Sequence, residues 1–166
     1  MKSGRNTDSF RSWQQAMRSV AVMVLATMVL ALSSPAFAAL GEDETSVVTD
    51  QVHMQAALRA VPARMFTVEE LQTPSGITVR EYVSQERKVF AVAWQGPWFP
   101  DLREMLGAYF GQYEEAASQN TRRGFGPLLI RADKLVVQVG GHTRAFVGRA
   151  YLPDLLPEGV QSDEIR

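Results

Sequence analysis

Val89-Phe90-Ala91-Val92-Ala93-Trp94-Gln95-Gly96-Pro97-Trp98-Phe99-Pro100-Asp101-Leu102-Arg103-Glu104-Met105-Leu106-Gly107-Ala108-Tyr109-Phe110-Gly111-Gln112-Tyr113-Glu114-Glu115-Ala116-Ala117 is the stretch around which the chain is organised. It opens as a near-continuous apolar run, breaks at Gln95-Gly96-Pro97, and resumes with a different period. Leu102, Met105, Leu106, Tyr109, Phe110, Tyr113, Ala116 and Ala117 recur at helical spacing, which predicts one stripe of an amphipathic helix. Asp101 stands where an N-cap is needed, with Glu104 three residues later in capping-box position. The spacing therefore predicts a buried strand turning sharply into a long helix.

Working backward, 65–72, 77–84 and 87–94 read as three strands. The second alternates Ile77, Val79, Glu81 and Val83 against Thr78, Arg80 and Tyr82, as a half-buried strand does. The third is apolar on both faces and is expected to be central and covered on both sides. Thr73-Pro74-Ser75-Gly76 has the chemistry of a tight turn. Before these runs, the spacing of Val47, Val48, Val52, Met54, Ala57, Leu58 and Val61 predicts a helix over 46–61, stopped by Pro62. Working forward, 128–131, 135–139 and 142–152 read as three more strands. Gly140-Gly141 is expected to form the hairpin turn between the last two, since a two-residue turn favours positive φ. The expectation is a small single α+β domain of antiparallel meanders (three strands, a helix, three strands) preceded by a short helix. The sequence leaves open whether the two triplets share one sheet.

The first 38 residues read as an address. Lys2, Arg5, Arg11 and Arg18 face a single acid, Asp8, and an apolar run of 13 residues (20–32) follows. Ser33-Ser34-Pro35 breaks that run, and Ala36-Phe37-Ala38 has the small-x-small form of a signal-peptidase site. Spanning a membrane takes roughly 20 apolar residues. Cleavage between Ala38 and Ala39 is expected, leaving 39–166 as a periplasmic or secreted domain that met the membrane only through its leader. An uncleaved anchor is the other reading. Of 17 Lys+Arg and 18 Asp+Glu, removal of those four bases and one acid leaves 13 and 17. That mild acidity argues against a nucleic-acid partner. A domain of this size buries roughly two thirds of its unfolded surface.

The chain has no cysteine and two histidines, His53 and His142. This excludes disulfides, thiol catalysis, thiolate metal sites and covalent c-type haem attachment. No close ligand pair such as His-x-x-x-His occurs, and no serine lies in a Gly-x-Ser-x-Gly elbow. Glu42/Asp43/Glu44, Glu69/Glu70 and Glu114/Glu115 read most simply as solvated faces. Gly124 to Gly126, after Arg122-Arg123, reads as a loop. No catalytic, cofactor-binding or metal-ligating residue is assigned.

Two surfaces could meet a ligand or partner. Trp98 and Phe99 sit between prolines in the strand-to-helix loop, either as a lid over the core or as an exposed aromatic platform. His142 and Arg144 are expected on one face of a strand edge, where an arginine fork could take an anion. Gly107 and Gly111 lie i, i+4 opposite the apolar stripe, as tolerated slack or as a surface for self-association.

Several of these motifs also resemble, in order, one small exported bacterial family. They are Arg80-Glu81-Tyr82-Val83; Val89 to Pro97 followed by Pro100-Asp101-Leu102; Gly140-Gly141-His142-Thr143-Arg144-Ala145-Phe146; and Gly148-Arg149-Ala150-Tyr151-Leu152-Pro153. The family is filed as domain of unknown function 2844, and the resemblance covers 40–166. It implies a short signal peptide and one exported domain, and carries over no activity, substrate or catalytic residue. The expected function is a non-enzymatic binding or assembly module of the cell envelope with an unknown protein or small-molecule partner. The alternatives are a small envelope hydrolase whose site includes His142, and a structural homo-oligomer subunit.

Overall fold

The computed structural model describes residues 40–120 and 127–166. The leader, its junction at Ala38 and Ala39, and the Arg122 to Gly126 segment lie outside them.

One seven-stranded sheet, antiparallel throughout, holds the domain together. Its strands are β1 (Ala57–Pro62), β2 (Phe66–Gln72), β3 (Thr78–Ser84), β4 (Val89–Gly96), β5 (Leu128–Arg131), β6 (Val136–His142) and β7 (Ala145–Tyr151). The spatial order is β1-β2-β3-β4-β7-β6-β5. Two meanders are thus joined where β4 pairs with β7, from Ala91↔Tyr151 to Gly96↔Phe146. The helices α1 (Thr45–His53), α2 (Leu102–Leu106) and α3 (Phe110–Gln119) complete an α+β domain. None of the described helices is long and apolar enough to cross a membrane.

Each face of the sheet carries its own core. Leu71, Val79, Val92, Trp94, Val137 and Ala150 pack with Val47 of α1 and Leu102, Met105 and Leu106 of α2. Tyr82, Phe90, Ala91 and Ala93 pack on the other face with Val160 and Ile165. The central strand β4 is therefore covered on both sides, as its unbroken apolar run implies. A register shift between Tyr82 and Val83 leaves Phe90 as the extra residue on β4. Such a bulge breaks strict alternation, and Phe90 joins Ala91 on the second face. There it meets Phe66 at 5.8 Å and Tyr82 at 6.1 Å between ring centroids.

Four local expectations need correction. The helix predicted over 46–61 ends at His53, and residues 57–62 are a strand. Gln55, at φ 50°, turns the chain out of α1. Ala57 to Val61 then gain ladder bonds to β2, and the two propensities are too close to outweigh that pairing. Pro62 thus closes an edge strand, where its missing N–H costs little.

The long helix is two helices. Gly107 adopts φ 49°, and a 3-10 turn (Gly107–Tyr109) separates α2 from α3. The stripe survives the break, because Tyr109, Phe110, Tyr113, Ala116 and Ala117 still pack against the core. Gly107 and Gly111 consequently do not share an uninterrupted helical face, and a Cβ on Gly111 would meet nothing within 4 Å.

The hairpin turn is Thr143-Arg144, not Gly140-Gly141. His142 pairs with Ala145, and both glycines lie inside β6. Gly141 has φ 100°, and a Cβ there would lie 2.1 Å from the Ala145 carbonyl oxygen. Close backbone approach requires this glycine, so the glycine pair marks a crowded point of the ladder rather than the turn. Finally, four strands rather than three precede the helical crossover, because β1 was hidden in the first predicted helix.

Asp101 caps α2 as expected, its Oδ1 accepting from the backbone N–H groups of Arg103 (2.8 Å) and Glu104 (3.3 Å). A five-residue helix depends heavily on such a cap. Asp101→Ala is expected to cost about 1 kcal/mol, measured as a lower urea midpoint with an unchanged slope.

Candidate functional site

A groove lies on the second face of the sheet, toward the end where β4 and β6 finish and β7 begins. It encloses about 400 Å³, and its lining includes Gln95, Gly140, Val147, Arg80, Arg149 and Arg166. Volumes of roughly 300–1,000 Å³ are those of small-molecule sites. The register explains the hollow. Gln95, Val147 and Gly140 lie side by side across β4, β7 and β6. Glycine at the third position leaves that row without a side chain, and Val147 is exposed beside it.

Ile165 and Arg166 form one wall, held by the segment that precedes them. The Arg149 Nη1 donates to the carbonyl oxygens of Ser162 (2.6 Å) and Ile165 (2.9 Å). Its Nε donates to Gln138 Oε1 at 2.7 Å, directly across the β6–β7 ladder. The Tyr82 hydroxyl donates to the Arg166 main-chain oxygen at 2.6 Å and accepts from its N–H at 2.8 Å. Arg80 is paired with Glu70 at 2.8 Å. Burial raises the Tyr82 phenol, opposed by the Arg166 hydrogen bond and by the charges of Arg80, Arg166 and Arg149.

The aromatic loop stands at the same end of the sheet, because Gly96 pairs with Phe146. Trp94 is buried, and its indole lies where a Gly148 side chain would be: a Cβ there would come within 2.2 Å of Trp94 Cζ2. Phe99 sets its ring edge-to-face against Trp94 (6.3 Å) and Phe146 (5.8 Å). It remains 44% exposed, and Trp98 is 56% exposed. The two readings of this pair therefore divide between them: Phe99 half-covers Trp94, and Trp98 is the open aromatic. The Trp94 Nε1 is buried without a partner among the described residues.

His142 and Arg144 are not on one strand face. His142 ends β6 with Nδ1 3.2 Å from the Thr143 carbonyl oxygen, and Arg144 occupies the turn at φ 65°. Both are exposed. Among the described residues no hydrogen bond links His142 to a serine. His53 borders a separate cleft of about 330 Å³ that also includes Asp101 and Glu104. No cluster of three His, Cys, Asp or Glu among the described residues is arranged to hold a metal ion.

The carboxylates hold what the pattern of the sequence does not reveal. Glu69 is no solvated residue: it is 8% exposed, and it lies directly opposite Glu81, at 3%, across β2–β3. Asp50 of α1, at 2%, shares a side-chain hydrogen bond with Glu81. Burial first, then the Asp50 hydrogen bond and charge and the charge of Glu69, push the Glu81 carboxyl well above its usual range. Burial, with Glu44 nearby, also raises Glu69. Two hydrogen-bonded carboxyl groups in so dry a place titrate as one pair. Glu81 at a core-facing strand position was the available signal.

No curated protein and no solved structure matches the chain. A family model does match, over residues 36–165, and it spans both cores, the groove and the aromatic loop. The chain therefore belongs to the family described as Protein of unknown function (DUF2844).

Proposed function

We propose that this chain is an exported, non-catalytic binding module of the cell envelope, cleaved after Ala38, that holds a small ligand in the groove over β4, β7 and β6. The observation that carries the reading is the groove itself. It is preformed, floored by Gly140 and Val147, and walled by a segment fixed through Arg149 and Tyr82. Preformed concavity with a few fixed polar groups is the usual form of a ligand site. Exposed Trp98 stands at the same end of the sheet without lining the groove. His142 and Arg144, exposed at the β6–β7 turn, do not line the groove.

The test is native mass spectrometry of the protein recovered from periplasm under mild washing, wild type beside Gly140→Val. A Cβ at Gly140 would have Val147 and Pro127 as its nearest neighbours, at 3.8–4.0 Å, so the backbone accepts a side chain that projects into the hollow. The expected result is a chain beginning at Ala39 with a small added mass that the variant lacks. An unprocessed chain contradicts export, and identical bare masses contradict binding.

A further inference from the structure

We propose that the groove takes an organic anion with an apolar body, its head group on Arg149 and its body over Gly140 and Val147; this rests on the reading of the chain as a binding module. Of the three arginines lining the groove, Arg80 has a carboxylate partner, Glu70. Arg149 has none among the described residues. Its three acceptors, Gln138 Oε1 and the carbonyls of Ser162 and Ile165, are all neutral. The side chain of Arg166 makes no ion pair among the described residues either.

A half-buried guanidinium with only neutral acceptors has no ion-pair partner to offset its charge among the described residues. The same acceptors fix its plane. Nε and Nη1 are engaged, and Nη2 makes no hydrogen bond among the described residues. Guanidinium is the side chain best suited to carboxylate and phosphate oxygens, and holding it in place beforehand lowers the entropy lost on binding. Next to it the floor is apolar, from Val147, Pro127 and the bare backbone at Gly140. The Arg166 main-chain oxygen is already taken up by the Tyr82 hydroxyl (2.6 Å) and Arg80 Nη1 (3.5 Å). This leaves Arg149 as the cation open to a ligand beside an apolar floor, so the site matches a ligand with one anionic end. The domain as a whole is acidic, and its long-range field does not favour anions. Selectivity must therefore come from the groove.

A purely structural Arg149, tying residues 162–165 to the sheet, would show none of the ligand preferences that follow. Isothermal titration of the purified protein, below micelle concentrations, compares dodecanoate, dodecyl phosphate, dodecanol and dodecyltrimethylammonium. At least one of the two anions is expected to bind one per chain, about tenfold or more tighter than the alcohol or the cation. The tighter anion identifies the head group as carboxylate or phosphate. Arg149→Gln is expected to reduce that preference to near unity. Gly140→Val, which leaves Arg149 and the wall in place, is expected to abolish binding while keeping its melting temperature. Equal binding of anion and cation, no binding of either anion, or unaltered binding by Gly140→Val overturns the proposal. If neither anion binds while native protein still carries a different retained mass lost in Gly140→Val, the ligand class is wrong and the binding module stands.

Discussion

Gly148→Val is expected to destabilise the protein by about 3 kcal/mol, near the upper end for an overpacked core. For a domain of this size that is roughly a 10–15 °C fall in melting temperature. The cause is specific. The β7 backbone at Gly148 is paired with Trp94 itself, and the indole occupies the volume a side chain would need, with Cζ2 at 2.2 Å and Cε2 at 2.4 Å from an added Cβ. Trp94 cannot swing aside cheaply, because Phe99 packs edge-to-face against it and is itself backed by Phe146. Gly140→Val is the matched control on the neighbouring strand. Its Cβ meets neighbours no closer than 3.8 Å, at ordinary van der Waals contact, so its stability should change by less than about 0.5 kcal/mol. Equal melting temperatures for the two variants would contradict the placement of Trp94.

Stability is also expected to fall as pH rises above 4.5, and Glu81→Gln is expected to remove much of that fall. In the unfolded chain Glu81 titrates near 4.5, and in the folded protein burial and Asp50 hold it protonated to higher pH. Above 4.5 unfolding therefore releases a proton, so stability declines until the pH passes the folded value. Glu69 acts in the same direction. Glutamine can still hydrogen-bond Asp50 and has no charge to bury. The variant should be more stable than wild type at pH 8 by about 1–3 kcal/mol, the usual scale for a poorly satisfied buried polar group. Melting temperatures from pH 4.5 to 8 provide the check, and parallel curves for the two proteins would contradict the shared-proton pair.

The parts of the fold legible in the sequence are those where local pattern and tertiary packing agree. Strands β2, β3 and β4, the Thr73 to Gly76 turn and the Asp101 cap all fall in that class. So does the Leu102 to Ala117 stripe, whose buried face is right although Gly107 divides the helix. What misleads is pattern without partner. Residues 57–61 satisfy a helical spacing moderately well, and only the neighbouring β2 makes them a strand. Gly140-Gly141 carries a turn composition, yet Gly141 is required by the approach of the Ala145 backbone within the ladder.

The candidate site shows the same division. Trp98 and Phe99 stand out because aromatics between prolines are conspicuous, and both are exposed, but neither lines the groove. Arg149 does not stand out. Its role depends on Gln138 opposite it and on carbonyls 13 and 16 residues further along the chain. Glu69 resembles half of a solvated pair with Glu70, but strand alternation sends the two to opposite faces. One meets Arg80, and the other meets Glu81 in the dry side of the domain.

Amide-resolved NMR during a dodecanoate titration locates the ligand on the fold. Binding in the groove is expected to concentrate shifts at Gln95, Gln138 to Gly141 and Val147 to Arg149, with the amides of α1 unmoved. Shifts centred on α1 or on the Thr73 to Ile77 turn, or no shifts at all, would contradict the groove as the binding site.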